Sequence, residues 1–132
     1  MGVFTNIETA LHTRLATLSG LPSVAWPNVA FRPTENTTFL RPTMLVDPAK
    51  LSMLNGTQMH TGIYQIDIYI PLEKGTSALL TLLDSIESIF AASKTMTSGT
   101  DTIFVQAISR GPSTRQESWY VGILEVNYLC YS

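Results

Sequence analysis

Charge is what this chain has least of: 14% of its 132 residues are Asp, Glu, Lys or Arg, against 45% apolar. Ordinary globular proteins carry about 25% charged residues. A domain this small exposes much of its chain, so a surface short of charge reads as one that is partly covered in use. Uncharged polar residues, Thr above all, fill the deficit, which keeps such a surface soluble before it docks. The expectation is an assembly subunit, with an enzyme as the reading to test against it.

Other absences narrow the field. A formal net charge of −2, with eight Lys and Arg scattered along the chain, gives no basic patch or stripe of the kind nucleic-acid readers show. One cysteine, Cys130, makes no internal disulfide and no thiolate metal site, so a reducing cytoplasm fits. No stretch reaches the roughly 18 apolar residues of a membrane helix. Met1 to Thr5 lacks the basic flank and apolar run of a secretory signal. Asn36-Thr37-Thr38 matches a glycosylation acceptor, a triplet with meaning only in a secreted eukaryotic protein. Glycines are isolated, so no phosphate-cradling loop is present, and no linker, repeat or low-complexity tract divides the chain. One domain spanning residues 1–132 is expected.

The periodicities predict that domain's elements. Thr5 and Asn6 are candidate caps for a helix whose Ile7, Leu11, Leu15 and Leu18 repeat at three and four, with Gly20 and Pro22 ending it. From Leu21 to Thr38 three prolines interrupt regular structure, leaving an ordered loop with a short edge strand at most. Phe39 to Val46 reads as a strand, and Pro42 inside it favours a sheet edge or a bulge. Met59 to Pro71 alternates with period two, setting Tyr64, Ile66, Ile68 and Ile70 on one face and Gln65 and Asp67 on the other. Asn55-Gly56 between these strands favours a tight turn, and the pair reads as an antiparallel hairpin whose segment Asp47 to Gln58 projects. Gly75-Thr76 opens a second helix, with Leu79, Leu82, Leu83, Ile86, Ile89 and Phe90 on one stripe, running to about Lys94. Strands over Ile103 to Ile108 and about Glu117 to Tyr131 follow. The order α-β-β-α-β-β is that of an α+β fold: a mostly antiparallel sheet with both helices packed on one face.

Chemistry is thin. A nucleophile needs a base within hydrogen-bond reach, and His12, offset from the Leu11 and Leu15 stripe, and His60, at the start of the long strand, read as structural residues. No spacing of His, Cys or carboxylates supplies a zinc or calcium ligand set, so neither metal nor cofactor is expected, and no catalytic residue is assigned. Asp84 and Glu87 fall on the solvated side of the second helix. Asp67, on the far face of its strand, reads as the partner of a cross-strand arginine. Trp26 and Trp119 read as core or interface anchors, and Cys130 as a small buried apolar residue.

The segments Leu21-Pro22-Ser23-Val24-Ala25-Trp26-Pro27-Asn28-Val29-Ala30-Phe31, Thr61 to Pro71 and Arg110-Gly111-Pro112, in this order with the helices between, resemble the tail terminator, or tail completion, proteins of long-tailed bacteriophages. The resemblance covers most of the chain. It implies a structural virion protein of the tail's head-proximal end, synthesised in the host bacterial cytoplasm. It further implies a six-membered ring of copies of this chain that stops tube growth, with the tail tube protein and the head-tail connector protein as partners. Pro42 and the single glycine of the projecting loop depart from the family's pattern, so loop contacts do not transfer by position. Arg41, Arg110 and Arg115, with Asn55 and Gly56 at the projecting tip, are the candidate assembly contacts, since arginine is enriched at interfaces. Trp26, Pro27 and Asn28 are the candidate anchors of the loop over the sheet, with Tyr64 and Ile66 in the core. Competing readings are a connector stopper or tube protein in the same virion and, from another class, a small hydrolase or ligand-binding domain.

Overall fold

The structure, a computed structural model, describes residues 2–33, 37–47, 50–51, 58–72, 76–92, 95–116 and 119–131. Two helices, α1 (Val3–Ala16) and α2 (Ser77–Ala92), accompany one mixed sheet. Its long strands are β2 (Phe39–Val46), β4 (Gln58–Pro71), β6 (Asp101–Arg110) and β8 (Trp119–Tyr131). Short strands β1 (Ser23–Val24), β3 (Lys50–Leu51), β5 (Thr95–Ser98) and β7 (Thr114–Gln116) extend their margins. The order across the sheet is β1-β2-β4-β8-β6-β5, with β3 against β4 and β7 against β8. Every pairing is antiparallel except β1 with β2.

Alternation decides which face is sealed. Tyr64, Ile66, Ile68 and Ile70 of β4, with Leu124, Val126, Tyr128 and Cys130 of β8, are buried under Ile7, Leu11 and Leu15 of α1 and Leu79, Ile86 and Phe90 of α2. Each such side chain stabilises the fold by roughly 1.5–3 kcal/mol relative to exposure, so a one-residue register slip would expose the whole row. On the opposite face Ile63, Gln65, Asp67 and Tyr69 of β4 and Ile123, Glu125, Asn127 and Leu129 of β8 stay half-exposed. Neither helix covers them.

Local chemistry corrects two expectations. Helix α1 begins at Val3 with Gly2 as a cap that offers no side-chain bond. Thr5 and Asn6 therefore lie inside the helix, and Asn6 is buried because its Nδ2 donates to Asp101 Oδ2 at 2.6 Å, tying α1 to the start of β6. The strand before β6 was not expected: Ser98 and Asp101 pair across a two-residue turn in which Gly99 takes φ +60°, a backbone region that costs glycine little.

The free sheet edges are blunted. Ala25 N–H donates to Leu40 O at 2.7 Å, so Leu40 turns its backbone toward the outer edge of β2. By alternation Pro42 does too, and its missing N–H falls where no strand needs it. On the other side the register of β6 shifts at a bulge between Val105 and Ala107. Arg14 Nη2 caps the β5 margin by donating to Thr95 O at 3.4 Å.

Candidate functional site

The residues singled out from sequence do not converge on one site. Trp26, Pro27 and Asn28 form a tight turn: Val29 N–H donates to Trp26 O at 3.2 Å, and Asn28 has φ 56°. Proline followed by a residue of positive φ is the type II pattern, so this dipeptide chemistry shapes the loop. Trp26 packs edge-on against His12 of α1, ring centroids 4.8 Å apart, while Pro27 and Asn28 are exposed. Tyr64 and Ile66 lie in the core beneath both helices. Arg110, at the end of β6, binds Asp84 and Glu87 of α2, and hydrogen bonding to Asp84 is the main cause of its raised pKa. Arg115 is exposed on β7. Asn55, Gly56 and the acceptor Asn36 lie outside the described residues.

Arg41 departs from the ion pair expected for Asp67. The two are direct cross-strand partners between β2 and β4. Asp67 Oδ1 instead accepts from Gln65 Nε2 at 3.0 Å. The Arg41 guanidinium lies over aromatic rings, 5.4 Å from the Tyr69 centroid and 5.9 Å from that of Phe39. Those rings stack at 4.4 Å and 4°, with Trp119 edge-on to both. A guanidinium over a π face is a favourable seat worth about 0.5–2 kcal/mol, and it leaves the hydrogen-bonding fork available.

One polar constellation was missed from sequence. His12 Nδ1 lies 2.5 Å from Tyr64 Oη, and Glu8 Oε1 is 3.9 Å from Nε2 on the other side of the ring. Burial lowers the His12 pKa, against a smaller raising effect of Glu8, and burial raises that of Tyr64. A neutral imidazole and a protonated phenol thus share one hydrogen bond, whose direction follows the imidazole tautomer. Carboxylate, imidazole and hydroxyl follow one another as in a nucleophile triad, but Tyr64 is wholly buried and stays protonated. The cluster pins α1 to β4. Its signal in the sequence was His12 next to Leu11 and four residues after Glu8, on the margin of the buried stripe.

His60 is buried, with the Phe4 ring edge-on at 5.2 Å. Cys130, its cross-strand partner, is a buried free thiol whose pKa burial pushes up to about 11, far from a thiolate nucleophile. Among the described residues, no cluster of three or more His, Cys, Asp and Glu is placed to hold a metal ion, and no helix is long and apolar enough to cross a membrane.

Among the described residues, three surface recesses can be outlined, and neither histidine lines any of these three. One of about 540 Å³ runs between α1 and β5, with Ile89 of α2 at its side, and is lined by Thr9, Thr13, Arg14, Thr95, Met96 and Thr97 among others. A second, about 260 Å³, lies between the Trp26 turn and Arg41-Pro42-Thr43 of β2. The third, about 430 Å³, is lined by Pro33, Phe39, Arg41, Tyr69, Gln116 and Trp119. Arg41 is the shared wall of the last two. Aromatic rings, an arginine and half-exposed apolar side chains are the composition of contact surfaces.

One solved structure superposes on the chain with a TM-score of 0.72 at 20% identity, covering 97% of this chain and 92% of that one. At that identity the likeness establishes the fold. No curated protein matches the chain. The family model of the phage tail terminator protein matches residues 6–128. The chain is thus a structural protein of phage tails. It belongs to the phage tail terminator family.

Proposed function

We propose that this chain is the ring-forming terminator of its phage tail: copies close a ring, a hexamer, on the head-proximal end of the tail tube. The ring stops tube polymerisation and presents the surface to which the head connector protein joins. The subunit is synthesised in the host cytoplasm and acts by binding alone.

The observation that carries this reading is the family match over residues 6–128 on a sheet with one sealed and one uncovered face. A ring subunit needs contact surfaces toward two neighbours, the tube and the head, which agrees with a charge content of 14%. Blunted strand edges support the same reading. Pro42 and the bulge after Val105 disfavour open-ended strand addition, so contacts fall to side chains, which suits closed symmetry.

Disrupting this gene in the phage or prophage that carries it, then measuring tail lengths by negative-stain electron microscopy, tests the proposal. Overlong tubes without heads are expected. Tails of normal length that fail to join heads would move the chain to a connector role, and intact infectious particles would overturn the assignment.

A further inference from the structure

Arg41 and Asp47 stand at opposite ends of one strand, β2 with the residue that follows it, and on the same face of the sheet. Each is a charge without a counter-ion among the described residues. Among the described residues Arg41 makes ring contacts, its cross-strand neighbour Asp67 being held by Gln65. Asp47 is exposed and accepts one hydrogen bond, from Thr61 Oγ1 at 3.2 Å. Six strand residues at roughly 3.4 Å each separate them by about 20 Å, so they cannot pair within one chain.

Their surroundings are complementary as well. Next to Asp47, Leu45 and Val46 are 45% and 48% exposed, Leu45 on the face that carries Asp47. Next to Arg41 is the 430 Å³ recess floored by Phe39, Tyr69 and Trp119. One end carries an anion beside aliphatic side chains, and the other a cation beside aromatic ones.

We propose that the Asp47 end of one copy docks in the Arg41 recess of the next, Asp47 taking the guanidinium fork while Leu45, on the same face, covers the aromatic floor. The occupant is thus a second copy of this chain. With the two half-sites about 20 Å apart and each turned to a different neighbour, the contact is head-to-tail, the kind that closes rings. The proposal rests on the ring reading above and assigns its subunit contact.

Cysteine cross-linking tests it. The doubly substituted chain, Arg41→Cys with Asp47→Cys in a Cys130→Ser background, is oxidised in the presence of tail tubes from phage lacking the gene. Wild type is examined alongside by native mass spectrometry and electron microscopy. Positions 41 and 47 are exposed and Cys130→Ser changes a buried side chain of similar size, so circular dichroism first checks that the triple variant keeps the fold. The expected result is a ladder of covalent oligomers ending at the ring, with neither single-cysteine chain rising beyond dimer. Wild-type rings without cross-links would overturn this contact and leave the ring standing. Covalent dimers alone would mean reciprocal pairing about a two-fold axis and overturn the head-to-tail contact. Neither rings nor cross-links would overturn both readings.

Charge exchange gives a second measure. R41E alone and D47R alone are each expected to lower ring formation roughly tenfold or more, the effect of about 1.4 kcal/mol per contact. An equimolar mixture restores it, because Glu at position 41 of one variant meets Arg at position 47 of the other in alternating order. A mixture no better than either variant would overturn the pairing.

Discussion

Gly62 of β4 and Tyr128 of β8 are cross-strand partners, and the tyrosine ring fills the space a side chain at position 62 would occupy. The Tyr128 hydroxyl reaches over the glycine and donates to Leu45 O at 3.2 Å, joining three strands. Burial raises the Tyr128 pKa to about 12, so the phenol keeps its proton at any physiological pH.

A methyl group at position 62 would overlap both the Tyr128 ring and the Leu45 carbonyl, and the carbonyl is backbone, which cannot swing aside. Gly62→Ala is expected to cost about 1–3 kcal/mol, the usual penalty of overpacking. Tyr128→Phe keeps the ring and loses one hydrogen bond, so about 1 kcal/mol is expected. Urea denaturation of the two variants checks the order. Gly62→Ala equal to wild type would mean that β2 shifts freely past β4.

The His12 and Tyr64 contact makes stability depend on pH in a stated direction. His12 titrates lower in the folded chain than in the unfolded one, because burial disfavours the imidazolium. Below the unfolded value of about 6.5 the unfolded chain binds more protons, so folded stability falls with acidification until the pH passes the folded pKa. Above about pH 7 the contribution is fully present. Thermal melts from pH 7.5 to 5 are expected to show a decline for wild type that is shallower in His12→Gln. Parallel declines would remove His12 as the cause.

Much of this architecture was readable because its strongest signals are local. The alternation of Tyr64, Ile66, Ile68 and Ile70 and the stripe from Leu79 to Phe90 each placed a buried face without reference to any partner. Pro42 fell on an outer edge, as a residue with no N–H must. What failed to show were elements whose reasons lie elsewhere in the chain. Strand β5 buries only Met96 among polar neighbours, and β7 buries nothing, so neither has a periodic signature. Asn6 resembled a cap because its reason for being inside α1, Asp101, is 95 residues away. Arg41 was singled out as a contact from composition, but the stacked rings beneath it needed the register of β2 on β4.

Arg110 separates a structural role from an assembly role. Its ion pairs with Asp84 and Glu87 sit at the surface, where such pairs contribute about 0.2–1 kcal/mol and weaken with salt. Arg110→Ala is therefore expected to leave the isolated chain within about 1 kcal/mol of wild type by denaturation. If the same variant also caps tubes normally, Arg110 belongs to the fold alone. Loss of capping with the melt unchanged would make it an assembly contact.

Arg14 has the stronger structural role, because its two donors reach two other elements. Nη1 donates to Ile89 O at 3.1 Å in the last turn of α2, and Nη2 to Thr95 O at the margin of β5. A cation at a helix C-terminus answers carbonyls that have no partner within the helix, and a charged donor is worth about 1.5–3 kcal/mol when sheltered. This one is partly exposed, so Arg14→Leu is expected to cost about 1–2 kcal/mol. Hydrogen exchange adds a sharper reading, since leucine keeps the apolar stem while removing both donors. Amides of residues 95–98 and of the last turn of α2 are expected to lose protection, while those in the middle of β4 and β8 stay slow. Uniform loss across the sheet would mean that Arg14 supports global stability and not this corner. No loss at residues 95–98 would mean that pairing with β6 holds β5 without help.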